Sequence, residues 1–154
     1  LIARHVGDLQ IGVYVAPSYV ERLGAPAHPR ELQNTDHCIV GFLSSRTSKI
    51  DPLVLCSENE RIEITGNYVL AVDDGNAYLE AGLVGLGVIA LPNYMAAAHQ
   101  AVGALIPLFT QWRISPMPLY LAFPPNRHVN AKLRVFIDWI VELMLQHVPI
   151  TNNK

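Results

Sequence analysis

Ser44, Ser45, Arg46 and Thr47 stand together directly after an apolar run, Cys38–Phe42, that reads as a buried strand. Three hydroxyls and a guanidinium at the carboxyl end of such a strand suit a carboxylate, held by charge-assisted and bidentate hydrogen bonds. A solvated polar loop fits the same four residues. A second candidate set is Asp73, Asp74, Gly75 and Asn76. It follows the apolar run Tyr68–Val72 and opens a helix, where Asp73 or Asp74 accepts from the free amides of the first turn. In open α/β sheets ligands gather beyond strand carboxyl ends and at helix N-termini, so this second set falls at the rim of any cleft.

Catalytic chemistry finds no support. There is no G-x-S-x-G elbow. His5, His28, His37, His99, His128 and His147 lack any metal-binding spacing and read mostly as surface or turn residues. Gly82, Gly85 and Gly87 sit at the end of a helix, where they terminate it and allow close packing; a phosphate cradle would need them before one. Glu58, Glu60 and Glu63 read as a solvated hairpin. We expect no catalytic residue, no metal site and no cofactor.

The elements that must position the two candidate sets follow from periodicity and punctuation. Tyr68–Val72 and Val88–Leu91 are apolar enough to be strands buried on both faces, as in a parallel sheet, with a helix between them. That helix should present Ala77, Ala81 and Val84 on one face and end at Gly85 or Gly87. Upstream, Leu1–Val6 is extended and Gln10–Val15 is a strand. Pro17 opens a helix closed by Gly24, with Ser18 or a ligand serving its first turn because Ala16 is a poor cap. Arg30–Gln33 is one helical turn, and Leu43–Pro52 is irregular. Leu53–Cys56 and Arg61–Thr65 form an antiparallel pair across the turn Ser57–Glu60. Downstream come a helix over Tyr94–Val102 stopped by Gly103, an edge strand Leu105–Phe109 containing Pro107, and a strand Leu119–Phe123. Asn130 should cap a last helix, Ala131–Gln146, whose stripe is Leu133, Phe136, Ile137, Ile140, Val141 and Met144. Arg134, Asp138, Glu142 and Gln146 hold its other face, and Thr151–Lys154 reads as a disordered tail.

With 154 residues, 51% apolar, the chain has material for one domain and a core. Only 16% of residues are charged, which points to a partner surface, and a net charge of −2 gives no footprint for nucleic acid. The longest nearly apolar run, residues 81–92, is too short to span a bilayer and is broken by three glycines, so no membrane partner is expected. No signal peptide is visible. Cys38, placed in a buried strand, and Cys56 read as reduced core thiols of a cytoplasmic protein.

Taken in order, LIARHVGDLQIGVYVAPSYVERLGAP, PRELQNTDHCIVGF, DDGNAYLEAGLVGLGVIALPNY, GALIPLFTQW and FPPNRHVNAKLRVFIDWIVELM resemble the effector-binding domain of LysR-type transcriptional regulators. The likeness runs from Leu1 to about Leu145. PPNRH with its following basic and aromatic residues, and the loop SSRTSKIDP, look most like the CrgA/AphB-like subgroup. The resemblance implies an α/β, periplasmic-binding-protein type 2-like fold with an effector cleft between two subdomains. Residues 1–9 would end a crossing segment, 10–116 would form subdomain II, 117–149 the return strand and C-terminal helix of subdomain I, and 150–154 a disordered tail. A winged helix-turn-helix and the first half of subdomain I would lie upstream, so promoter DNA would be met only through that absent part. Carried over by position, the effector-binding residues would be Phe42, Ser44, Ser45, Arg46, Asp73, Asp74 and Asn76, and the ligand a small organic anion. The family habit of self-association, with the apolar stripe of the last helix, implies a homodimer or higher oligomer. The alternative is a free-standing solute-binding protein of the same fold.

Overall fold

The computed structural model describes residues 1–34, 36–125 and 131–148. Two units divide the chain: Ile11–Ser115, and Leu1–Gln10 with Pro116–Lys154.

In the Ile11–Ser115 unit, strand β2 (Ile11–Val15; β1 belongs to the other unit) leads to helix α1 (Pro17–Leu23) and the turn α2 (Glu31–Asn34). Strands β3 (Ile39–Phe42), β4 (Leu53–Cys56), β5 (Arg61–Ile64) and β6 (Tyr68–Val72) follow. Helix α3 (Gly75–Leu83), β7 (Ile89–Pro92), α4 (Asn93–Ala101) and β8 (Ile106–Leu108) complete it. β3 pairs in parallel with β6 on one side, and through the Ile39–Val88 bridge it meets the segment leading into β7 on the other. β2 runs antiparallel between β7 and β8, so the sheet is mixed rather than parallel throughout. β4 and β5 form the expected hairpin, in register from Leu53–Ile64 to Cys56–Arg61.

Side chains alternate across these strands and build a core on each face. Val13, Val15, Ile39 and Val88 pack with Tyr19 of α1, Leu32 of α2 and the hairpin residues Leu55, Ile62 and Ile64. Tyr14, Val40 and Ile89 point the other way, against Tyr78 and Ala81 of α3 and Ala96 of α4. Three expectations are corrected here. β6 is not buried on both faces: Val69 and Leu70 are exposed, because among the described residues β6 pairs only with β3. Helix α3 buries Tyr78, Ala81 and Gly82, while Ala77 and Val84 face outward. The aromatic ring needs the core, and Gly82 lets Ile89 press against the helix where a Cβ would overlap that side chain. His37 is buried, not a surface residue. Gly24, Gly85 and Gly103 adopt positive φ after their helices, as their positions require. Pro17 starts α1, and no side chain caps it.

In the other unit, β1 (Ile2–Leu9) pairs antiparallel with β9 (Met117–Phe123), with a register shift between His5 and Gly7. Buried Asp8 accepts from His5 Nε2 at 2.8 Å. Helix α5 (Ala131–His147) packs on β1. Of its stripe only Ile137 is buried; Ile140, Val141 and Met144 are half-buried, and Leu133 and Phe136 are exposed. A two-stranded ladder is too narrow to cover six apolar positions. The expected cap Asn130 and tail Thr151–Lys154 lie outside the described residues, as does the stretch Asn126–His128.

Gly82→Ala should destabilise the chain by about 1–2 kcal/mol despite the better helix propensity of alanine, because overpacking against fully buried Ile89 dominates. Urea unfolding followed by circular dichroism checks this.

Candidate functional site

Two strand ends are tied together. Phe42 and Val72 are paired at the carboxyl ends of β3 and β6, and Leu43 N donates to Val72 O at 2.7 Å. Ser44 and Asp73 each lie one residue beyond that bond, so both candidate sets meet at one edge.

The loop after β3 is more regular than its composition implies. Ser44 N donates to Lys49 O at 2.9 Å, Ser48 N to Ser44 O at 2.8 Å and Asp51 N to Phe42 O at 3.1 Å, with a bridge between Leu43 and Ile50. Ser48 takes a positive φ of 53° to turn the chain. Ser44 is half-buried in this turn, while Ser45, Arg46 and Thr47 are exposed. Among the described residues Arg46 makes no ion pair. Phe42 packs edge-on against Tyr78 with ring centroids 5.4 Å apart.

At the start of α3, Asp74 Oδ1 accepts from Asn76 N at 3.0 Å and Ala77 N at 2.9 Å. Asp74, of the two candidates, is the cap. Its carboxylate already occupies the amides and positive dipole end that would otherwise attract an anion. Asp73 and Asn76 are exposed beside it. The edge is therefore polarised: hydroxyls and a guanidinium after β3, carboxylates after β6.

Sequence reasoning missed Tyr78, which packs on Phe42 at this edge, and Tyr14, buried on the same side of the sheet. Tyr78 Oη accepts from Ala90 N at 3.0 Å, joining α3 to β7. Burial pushes the Tyr78 phenol up to about 12, partly offset by that amide. Tyr14 Oη donates to Asn93 Oδ1 at 3.0 Å, and burial raises its pKa as well. Tyr14 and Asn93, with Phe109, Thr110 and Trp112, line a hollow of about 260 Å³ that includes no residue of either candidate set. Phe109 holds a φ of 53° there. A tyrosine within an Ala/Gly-rich helix was the only signal for the first contact; nothing in the local sequence marks the second. Among the described residues no group of His, Cys, Asp and Glu could hold a metal ion, and no helix is long and apolar enough to cross a membrane. Cys38, just outside β3, and Cys56 are free thiols.

The LysR substrate binding domain family matches residues 1–145. An HTH-type transcriptional repressor of Pseudomonas aeruginosa is 27% identical over 150 residues, covering 97% of this chain and 47% of the relative. The HTH-type transcriptional regulator CrgA of Neisseria meningitidis serogroup B is 29% identical over 143 residues, 92% of this chain and 46% of its own. The chain thus spans about half the length of the curated relatives it matches. Among solved structures, the CrgA regulatory domain superposes with a TM-score of 0.75 at 24% identity, covering 93% of this chain and 68% of that one. Full-length AphB, the Vibrio cholerae virulence activator, gives 0.78 at 22% identity, covering 94% and 48%. These structures share the periplasmic-binding-protein type 2-like fold. Regulators, not solute carriers, stand among these relatives, so the solute-binding alternative is not favoured.

The Tyr78 phenol titrates later in the folded chain than in the unfolded one, where its pKa is near 10. The stability tied to it is fully present below pH 10 and lost as pH rises towards 12, at roughly 1.4 kcal/mol per pH unit. Tyr78→Phe should flatten that fall in urea titrations across the same range.

Proposed function

The chain belongs to the LysR substrate-binding domain family, and on that premise we propose that it is the effector-sensing and oligomerisation domain of a DNA-binding transcriptional regulator. Effector binding shifts the population of domain conformations and so the arrangement of protomers on promoter DNA. DNA contact falls to a segment of the parent protein upstream of Leu1. The effector is a small organic anion. One observation carries this reading: an exposed guanidinium, Arg46, without an ion-pair partner among the described residues, stands beside Ser44 and Ser45 beyond the carboxyl end of β3. Phe42, at the end of β3, supplies apolar surface at the same edge. Asp73, Asp74 and Asn76 form the opposite rim, where Asp74 is engaged as a cap and an anion is disfavoured.

In the full-length regulator, Arg46→Ala should weaken the effector response by roughly ten- to a hundredfold, as expected for loss of a hydrogen bond to a charged group. A transcriptional dose–response curve unchanged by the substitution overturns the assignment.

Exposed apolar residues on α5 support self-association. Phe136 and Trp139 are about half exposed, at 51% and 53%, and Val135 reaches 69%. Such a patch is costly in water; it suits a second copy of the domain, which we favour, or subdomain I residues outside this sequence. Sedimentation of the 154-residue chain at micromolar concentration should give a dimer or larger species; a monomer with α5 ordered would contradict it.

A further inference from the structure

Strands β3 and β6 carry the candidate edge at one end and meet a buried polar cluster at the other. Three bonds pin the start of β3: Cys38 N donates to Tyr19 Oη at 3.0 Å, Ile39 N to Asn67 O at 3.1 Å, and Val88 N to Cys38 O at 2.9 Å. The Asn67 side-chain amide also donates to His37 O, so the His37 peptide is held from the residue that leads into β6. His37 is buried, its Nδ1 lies 2.9 Å from Tyr19 Oη, and its Nε2 lies 3.8 Å from Glu31 Oε2.

The hydrogen-bond inventory of this cluster decides where the imidazole proton sits. A phenol has one proton to donate. Tyr19 Oη already accepts the Cys38 amide, and the residue has no exposed surface, so its proton needs an acceptor inside the protein. His37 Nδ1 is that acceptor, which requires a lone pair on Nδ1 and puts the ring proton on Nε2, towards Glu31. A second proton, on Nδ1, would set two donors against each other. Tyr19 Oη would then accept from both His37 and Cys38, and its own buried proton would be left without an acceptor, a cost borne at the start of β3. Among the described residues, the ring meets Tyr19 of α1 and Glu31 of α2, with Arg22 over the Tyr19 ring at 5.6 Å and Asp36 and Cys38 adjacent in sequence.

We infer that His37 is a positioning residue for the effector edge, held as its Nε2–H tautomer by Tyr19, and that protonation of its ring loosens the start of β3 and is felt at Phe42–Arg46. The identity of that edge rests on the function proposed above, but the relay itself needs no effector to be tested.

The experiment is nitrogen-15 NMR of the 154-residue chain from about pH 8 to about pH 5. At the upper end His37 should show the Nε2–H signature, and Tyr19→Phe should give mixed tautomers. As pH falls, the amides of Cys38 and of Phe42–Arg46 should move with the midpoint of the His37 imidazole. His37→Gln keeps an acceptor for the Tyr19 hydroxyl and takes up no proton, so in this variant the same amides should stay still. The inference falls if wild-type His37 is the Nδ1–H tautomer, if its ring takes up no proton in this range, or if the ring titrates while the edge amides do not respond. It also falls if those amides still move in His37→Gln. Failure of the effector reading would instead show in the Arg46→Ala dose–response curve, with these NMR results intact.

Discussion

Strand β3 is only four residues long, and it must satisfy hydrogen bonds along both of its edges because Ile39, Val40 and Gly41 are all buried. β6 meets one edge in parallel, and the backbone around Val88 meets the other. Where the pairing ends, the loop takes over: Phe42 O accepts from Asp51 and Leu43 N turns to Val72. Gly41 permits this fold-back. Ile50 and Tyr68 side chains lie 3.0–3.1 Å from the point a Cβ would occupy, so a side chain there would make them give by a few tenths of an ångström. Ser44, Ser45 and Arg46 are thus placed by a backbone demand and a missing methyl group, with no dedicated side-chain contact required.

On the other flank the ladder between β3 and β7 is confined to a single bridge. Beyond it the amide of Ala90 turns to the Tyr78 phenol. A helix side chain thereby stands in for a strand neighbour, which lets the two strands part without leaving a buried donor unmet. Burial pushes the phenol's pKa up, against the pull of the Ala90 amide. Gly82, one turn on, lets the helix lie close enough for Tyr78 to reach.

Local chemistry was read well where one residue type has one use. Gly24 and Gly103 stop helices, Pro107 marks an edge strand, Asp74 caps α3, and the turn at Ser57–Glu60 joins a hairpin. Burial was read less well. A run such as Tyr68–Val72 is equally apolar whether it lies at the centre of a sheet or at its margin, and pairing decides which. Small residues blur the helical face too: Ala77 and Ala81 are alike in sequence, and the large Tyr78 beside them chose the buried side. His37 was misplaced because its partner Tyr19 stands 18 residues earlier, a separation no periodicity reports. The candidate edge itself was legible only as composition after a strand; that Asp74 fills its own helix end depends on geometry.

The β1–β9 ladder has a kinetic side. Its partners, from Leu9–Met117 to Ile2–Phe123, are among the most distant in the chain. Bringing them together from an open coil would close a loop of roughly a hundred residues, at an entropic cost that must be met before any of its bonds form. The intervening Ile11–Ser115 unit has its own strands, hairpin and two cores. Once that unit condenses, the effective loop shrinks and the ladder can zip from Leu9–Met117 outward. Closing the β1–β9 ladder is therefore cheapest once the Ile11–Ser115 unit has folded.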